Sequence, residues 1–96
     1  MIASFGDRST EALFHGRSPA AVRRIPPEIR GTAVRKLDMV NAARQLRDLR
    51  VPPANRLEAL KGDLKGKHSI RINQRWRIVF RWEAGDAHEM SIMDYH

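Results

Sequence analysis

The sequence contains no cysteine, which excludes both a disulfide framework and a cysteine-ligated metal site. It shows no secretory leader and no apolar run near the roughly 20 residues that a membrane span needs, so a soluble protein suited to a reducing cytoplasm is expected, with no membrane partner. No glycine-rich stretch matches a phosphate-binding P-loop. The histidines lack the spacing of a zinc or iron site, and we therefore expect no metal and no other cofactor. They are His15, His68, His88 and His96.

Positive charge is what the sequence has in excess. Its 96 residues, expected to form one domain over 1–96, carry 18 Lys and Arg against 11 Asp and Glu, a net charge of +7. Fourteen of these cations are arginines, whose planar guanidinium suits bidentate contacts with phosphate. The balance predicts a polyanionic partner.

The first half of the chain reads as a short strand followed by helices. "MIASF" has the pattern of an edge strand, and Asp7 or Ser9 follows as a helix cap. Ser18 with Pro19, and then Pro26 or Pro27, give further helix-start signals. The last of these helices has an apolar stripe with helical spacing, which predicts a buried face, while Lys36 falls off the stripe and is expected to point outward. The stripe consists of Ile29, Ala33, Leu37 and Val40.

The second half changes to the period of strands. "LEAL", "SIRIN", "WRIVFRW" and "HEMSIMDY" follow one another, with "EAGD" as a hairpin turn between the last two. Alternation in "WRIVFRW" assigns the aromatic residues to a core face and the arginines to the opposite face. The predicted fold class is α+β, with helices packed on one face of an antiparallel sheet.

Charge is concentrated on the central strands. Residues 56–81 carry eight basic and two acidic side chains, a net charge of +6, whereas residues 82–96 carry four acidic side chains and no Lys or Arg. Arg71, Arg77 and Arg81 alternate toward the face away from the helices, where they would form an arginine-lined surface. Such a surface suits phosphate binding, but it is equally typical of a solvated sheet face that keeps a protein soluble.

The stretch "RLEALKGDLKGKHSIRINQRWRIVFRW" and the terminal "DYH" resemble the HigB-type toxins of the RelE superfamily, over essentially the whole chain. The resemblance implies a RelE-like fold, with an N-terminal strand and helices on one face of a small, mainly antiparallel sheet. It also implies the toxin of a type II toxin–antitoxin module, a ribosome-dependent and metal-independent endoribonuclease that cleaves mRNA in the ribosomal A site and inhibits translation. Implied partners are a helix-turn-helix antitoxin of the HigA type, the ribosome and mRNA, with operator DNA reached only through the antitoxin.

The resemblance also implies the site residues. Catalytic roles fall on Arg77, Lys61, Asp94, Tyr95 and His96, because in this family the end of the last strand reaches the RNA cleft. The chain departs from some members, which carry a histidine where this chain has Glu58, so the division between acid and base stays open. RNA-binding roles are expected for Lys65, Lys67, His68, Arg71, Arg75 and Arg81.

Metal-free RNA cleavage explains why such residue types are needed. A base must take the proton of the ribose 2′-hydroxyl, an acid must protonate the leaving 5′-oxygen, and cations must stabilise the charge on phosphorus. His96 can exchange protons near neutral pH. Tyr95 can donate a hydrogen bond or stack on a base, Asp94 can orient a neighbour, and Arg77 is expected to stabilise the pentacoordinate phosphorus.

Two other functions fit the same chain. The superfamily fold also serves ParE-type toxins, which act on DNA gyrase, and fold alone does not determine chemistry. A basic RNA-binding module without catalysis would explain the charge. Neither accounts for a terminal "DYH" beside cationic strands.

Removal of His96 tests the predicted proton carrier. We expect deletion of this residue, or His96→Gln, to abolish growth arrest and RNA cleavage, since an amide cannot exchange a proton near neutral pH. A terminal residue contributes little packing, so the melting temperature should stay unchanged. A C-terminal affinity tag should also impair activity, whereas an N-terminal tag serves as the harmless control. Full activity of the deletion variant would remove His96 from the mechanism.

Overall fold

The computed structural model describes residues 1–17 and 20–94, and in these residues helices come first and an antiparallel sheet follows. The predicted α+β class is thereby confirmed. The helix start proposed at Ser18 and Pro19 lies outside the described residues. The helices are α1 (Arg8–Phe14) and α2 (Pro27–Ala42), and the strands, in sheet order, are β1 (Glu58–Ala59), β2 (His68–Arg71), β3 (Trp76–Glu83) and β4 (Asp86–Asp94). Short 3₁₀ helices span Leu46–Arg50, Pro53–Asn55 and Gly62–Leu64.

Helix α2 forms one wall of the core. It begins at Pro27, whose fixed φ suits the first helical turn, and its predicted apolar stripe is buried throughout. The stripe packs against Ile78 and Phe80 of β3, and both of these are fully buried. Trp76 and Trp82 lie half-buried at the margin of the same core, as the alternation predicted. No helix in the described part of the chain is long and apolar enough to cross a membrane.

The β3–β4 hairpin is the longest pairing in the sheet. Ala84 and Gly85 connect the strands with φ angles of 53° and 82°, as a tight turn of type I′ requires. Farther along, Val79 pairs with Ser91 but Arg81 pairs with His88, so β4 holds one extra residue at this point. Two residues of β4, Glu89 and Met90, thus lie opposite Phe80, and Glu89 has a φ of 57°, in the left-handed region that non-glycine residues rarely adopt.

The N-terminal segment covers the outer edge of β4. Phe5 bridges to Met90 in a parallel sense, and the Gly6 amide donates a hydrogen bond of 2.7 Å to the Met90 carbonyl. A Cβ at Gly6 would lie 3.0 Å from the Glu89 carbonyl oxygen, so the close approach requires glycine here. The predicted N-terminal edge strand is therefore present as a bridged segment, which protects β4 from further pairing.

Asp7 joins this segment to α1 and to β4. Its carboxylate caps α1 by accepting a 2.8 Å hydrogen bond from the Thr10 amide, and it accepts a 2.6 Å hydrogen bond from the Ser91 hydroxyl. Arg24 donates to the same carboxylate at 3.1 Å and to the Ile92 carbonyl at 2.9 Å. Partial burial raises the pKa of Asp7, but the hydrogen bonds from Ser91 and Thr10 and the charge of Arg24 outweigh it and leave the pKa below the ordinary value of 3.8.

Lys36 differs from its sequence-based prediction. It does not point freely outward but donates to the side-chain oxygen of Asn55, which is fully buried. The Asn55 amide in turn donates to the Leu49 carbonyl at 3.1 Å. Partial desolvation and the neighbouring Arg35 charge lower the pKa of Lys36. A helical stripe predicts which residues face the sheet, but not which residues a later loop covers, and the loop over 50–56 folds back onto this side of α2.

Loss of the Asp7 carboxylate should weaken the fold. We expect Asp7→Ala to lower the free energy of unfolding by roughly 2 kcal/mol, since it removes a helix cap and leaves the Ser91 hydroxyl and Arg24 without their acceptor. Because the folded pKa is depressed, this contribution is present above the unfolded pKa of about 3.9 and is lost as the pH falls through the folded value. Urea unfolding at pH 7 and pH 3 measures it, with exposed Asp38→Ala as the control. An Asp7→Ala effect as large at pH 3 as at pH 7 would contradict a contribution from the ionised carboxylate.

Candidate functional site

The face of the sheet that points away from α2 carries the arginine predicted to be catalytic and two arginines predicted to bind RNA. We call it the arginine face, defined by Arg71 on β2 and by Arg77 and Arg81 on β3. The residues that alternate with them, such as Ile70, Ile78 and Phe80, belong to the core. The predicted division of β3 into an apolar and an arginine side is therefore confirmed.

Two of these arginines are direct neighbours. In the register of β2 against β3, Arg71 is the partner of Arg77. Arg56, which has a left-handed φ of 46°, adds a third positive charge near Arg71. Desolvation, followed by the Arg56 and Arg77 charges, lowers the pKa of Arg71. Like charges placed opposite each other on adjacent strands are destabilising, so this arrangement favours the binding of an anion.

Arg77 is more buried than the sequence predicted. The residue is only 8% exposed, and Val79, two positions along the same face of β3, is 0% exposed. The expectation of a fully exposed arginine surface is thus wrong for Arg77. One guanidinium nitrogen lies 3.7 Å from a carboxylate oxygen of Glu58 on the edge strand β1. A buried cation adds little to solubility, and its desolvation is costly, so the solvated-face interpretation does not explain Arg77.

The other end of the arginine face is neutralised by acids. The Arg81 guanidinium pairs with Glu83 and lies 3.8 Å from Glu89, while the Lys67 ammonium lies 3.3 Å from Glu89. Glu89 occupies the extra position in β4 and thus reaches both cations. The net positive charge is consequently concentrated near Arg56, Arg71 and Arg77.

Lys61 and Lys65 lie in the loop between β1 and β2, and His68 is the first residue of β2. Lys61 and Lys65 are exposed and make no ion pair among the described residues, so both are accessible to a ligand. His68 pairs with Phe80, which belongs to the core, and therefore lies on the opposite side of the sheet. Burial lowers the pKa of His68, which favours the neutral ring.

Asp94 closes the described part of the last strand. The Arg75 guanidinium donates two hydrogen bonds to the Asp94 carboxylate, with N–O distances of 2.8 and 2.9 Å. Asp94 is the strand partner of Trp76, which places it on the side opposite to Arg77. Arg75, predicted to bind RNA, is thus engaged with the residue that was predicted to orient a catalytic neighbour. The remaining predicted catalytic residues, Tyr95 and His96, lie outside the described residues.

The comparisons with known proteins agree with this architecture. The family model for the RelE-like toxin HigB of type II toxin–antitoxin systems matches residues 4–96. The chain belongs to the HigB-like toxin family. Toxin HigB-1 of Vibrio cholerae serotype O1 is 48% identical over 65 residues, 68% of each chain, and the protein named Endoribonuclease HigB of Proteus vulgaris is 30% identical over 96 residues, 100% of each chain.

Solved structures show the same fold at low sequence identity. The toxin-containing YoeB–YefM complex of Staphylococcus aureus superposes with a TM-score of 0.56 and 14% identity, covering 100% of this chain and 98% of the other. A second, heterotetrameric structure of that complex gives a TM-score of 0.54 and 17% identity with the same coverage. These likenesses confirm the RelE-like fold of this HigB-like toxin.

Within 1–17 and 20–94, no cluster of three or more His, Asp or Glu is arranged to hold a metal ion. The arginine face instead offers guanidinium groups, which bind and stabilise phosphate oxygens. The arginine face is therefore chemically suited to binding the phosphate groups of a nucleic acid.

Sequence reasoning missed Arg56 and the role of Glu58. Arg56 precedes and Glu58 begins the two-residue strand β1, which lies within the predicted strand segment "LEAL". The period of that segment does not indicate that Arg56 lies near Arg71 or that Glu58 lies near Arg77, because both contacts depend on the pairing of distant strands. The cluster of the HigB-like toxin thus includes one arginine and one acid that the strand pattern alone did not assign.

Substitution of Arg71 should separate stability from binding. We expect Arg71→Gln to raise the melting temperature of the HigB-like toxin, because it removes one of two opposed charges, and to weaken RNA binding. Thermal melts and anisotropy of a labelled RNA measure both effects. The matched control is Arg23→Gln, at an exposed arginine with no ion pair in the described structure. A lower melting temperature together with unchanged RNA affinity would show that Arg71 is a structural residue.

Proposed function

We propose that this toxin is a ribosome-dependent, metal-independent endoribonuclease that cleaves mRNA in the ribosomal A site. The name Endoribonuclease HigB, carried by the relative from Proteus vulgaris, supports RNA cleavage as the activity. The observation that carries the proposal is the opposed pair Arg71 and Arg77, held at the most basic part of the arginine face. A phosphodiester bound between them would replace the mutual repulsion of the two cations with two attractions.

Cleavage by this arrangement would begin from the ribose 2′-hydroxyl. As that oxygen attacks the adjacent phosphorus, negative charge builds on the phosphate oxygens, and Arg77 is placed to stabilise it. Because Arg77 is largely buried, its interaction with the developing charge is screened less by water. A preorganised cation of this kind typically contributes several kcal/mol to transition-state stabilisation.

Proton transfer requires residues of a different type. Arginine stays protonated at neutral pH, so the arginine face cannot supply a base. We assign this task to His96, with Tyr95 as a hydrogen-bond donor or stacking partner, and each positioned proton transfer typically gives about 10² to 10⁴ in rate. Asp94 is better suited to fixing the strand end through Arg75 than to acting on RNA, because it lies on the opposite side from Arg77. Lys61 is exposed and remains a candidate for contact with the scissile phosphate.

The partner in the resting state is proposed to be an antitoxin. The family is that of type II toxin–antitoxin systems, and one solved structure with the same fold is described as a heterotetrameric YoeB–YefM toxin–antitoxin complex. We propose a helix-turn-helix antitoxin of the HigA type, which would bring the toxin to operator DNA only indirectly. Acidic groups on such a partner would complement the net charge of +7.

Inhibition of DNA gyrase remains the alternative from a different class. A gyrase inhibitor needs a protein-binding surface and has no need for a buried arginine opposite a second one. The burial of Arg77 therefore favours phosphoryl chemistry over protein binding.

Comparison of free and ribosome-bound mRNA tests the proposal. We expect rapid cleavage on programmed ribosomes and cleavage of naked mRNA that is slower by orders of magnitude, because the ribosome orients the 2′-hydroxyl for attack. Arg77→Ala should abolish cleavage while the protein still sediments with ribosomes, and Arg23→Gln should behave as wild type. Equal cleavage of naked and ribosome-bound mRNA would contradict ribosome dependence. Supercoiling inhibition without RNA cleavage would favour the gyrase alternative.

A further inference from the structure

A cavity of about 350 Å³ lies on the opposite side of the sheet from the arginine face. Ala59 and His68 are strand partners, both line this cavity, and they alternate with Glu58 and Ser69, which lie on the side of Arg77. The cavity therefore opens beside the two-residue edge strand β1. Its full lining is Leu46, Arg47, Arg50, Leu57, Ala59 and His68.

The lining combines an apolar wall with an anion-binding rim. Leu46 and Leu57 are half-buried and pack on the core, so they offer a flat apolar surface. Arg47 and Arg50 are exposed and form no ion pair among the described residues. Apolar walls with a few convergent polar groups, enclosing at least about 300 Å³, are typical of sites for small organic ligands.

His68 supplies an imidazole ring that can form hydrogen bonds with a ligand. Its Nδ1 atom is buried and has no hydrogen-bond partner in the described part of the chain. Burial lowers the pKa of His68, so near neutral pH one ring nitrogen donates and the other accepts. The ring as a whole is only partly buried and lines the cavity, so a ligand edge can bond to the part of the ring that the cavity exposes.

The edge strand β1 separates the cavity from the arginine face. Arg56, just before this strand, lies near Arg71. Its chain neighbour Leu57 lines the cavity, as does Ala59, so the two sides of the sheet approach each other at a strand only two residues long. A polyanion bound on the arginine face can pass this edge and meet the cavity.

We propose that the cavity is a nucleotide subsite for the RNA strand. The base would pack against Leu46 and Leu57 with one edge toward His68, and its phosphate would bind Arg47 and Arg50. An aromatic base matches the apolar wall, a phosphate matches the two guanidinium groups, and the presence of arginines on both sides of the edge strand favours an extended nucleic acid over an acidic peptide. The choice of RNA rests on the proposed function, but the subsite itself concerns binding away from the cleavage site.

Binding of a non-cleavable, 2′-O-methyl RNA oligonucleotide to the full-length protein tests the subsite without requiring cleavage. We expect the double variant Arg47→Gln/Arg50→Gln to bind roughly five- to tenfold more weakly at low salt and to lower the salt slope by about 1. Ala59→Phe should fill the cavity from an exposed position and weaken binding without a change in salt slope. The matched control is Arg8→Gln/Arg23→Gln, which removes the same charge elsewhere, and thermal melts verify folding of every variant.

The outcomes separate the subsite from the proposed function. If the Arg47/Arg50 variant binds as the control does while Arg71→Gln still weakens RNA binding, the subsite is overturned and the RNA-binding face stands. If Arg71→Gln has no effect either, the proposed RNA function fails as well. Competition by an acidic peptide that shifts the NMR signals of His68, with RNA affinity unaffected by the cavity variants, would make the cavity a protein-binding site and overturn the inference.

Discussion

The register of β2 against β3 sets two guanidinium groups, those of Arg71 and Arg77, directly opposite each other. Opposed cations on neighbouring strands are unfavourable, and the burial of Arg77 makes the arrangement more so. The fold tolerates the pair because the other side of the same strands is an extensive apolar core. A bound phosphate would turn this local weakness into binding energy, which is how strained sites in proteins commonly relate to function. We therefore regard the pair as the centre of the site in this HigB-like toxin.

The rest of the molecule keeps that pair in register. The apolar stripe of α2 covers the core side of β3, so a slip of one residue would turn Ile78 and Phe80 away from α2 and place Arg77 and Val79 against it. On the outer edge, Gly6 and Asp7 attach the N-terminal segment to β4. The extra residue in β4, Glu89, pairs with Lys67 and Arg81 and leaves the Arg71 end of the face as the basic part. The position of the net positive charge on the arginine face therefore depends on backbone geometry as well as on composition.

The fold class and the two faces of β3 could be predicted from the sequence, because hydrophobic periodicity follows burial. Period-two alternation in "WRIVFRW" and the helical stripe of α2 indicate which residues face the core. The two faces of β3 and the α+β class were therefore predicted correctly. Exposure of Arg77 was predicted wrongly, because alternation gives the side of the sheet but not what neighbouring side chains cover. The Arg75–Asp94 pair and the Lys36–Asn55 contact join residues 19 positions apart, and their approach depends on tertiary packing. The roles of Tyr95, His96 and Lys61 remain predictions.

The chemistry of the RNA ends tests the central claim most directly. Attack by the ribose 2′-hydroxyl, with Arg77 stabilising the charge on phosphorus, leaves a 2′,3′-cyclic phosphate on one fragment and a 5′-hydroxyl on the other. Cleavage of mRNA on programmed ribosomes, followed by labelling with polynucleotide kinase with and without prior phosphatase treatment, distinguishes the possible ends. The account predicts that the downstream fragment accepts label without phosphatase treatment. A 5′-phosphate on that fragment would mean that water is the nucleophile, and would contradict the mechanism.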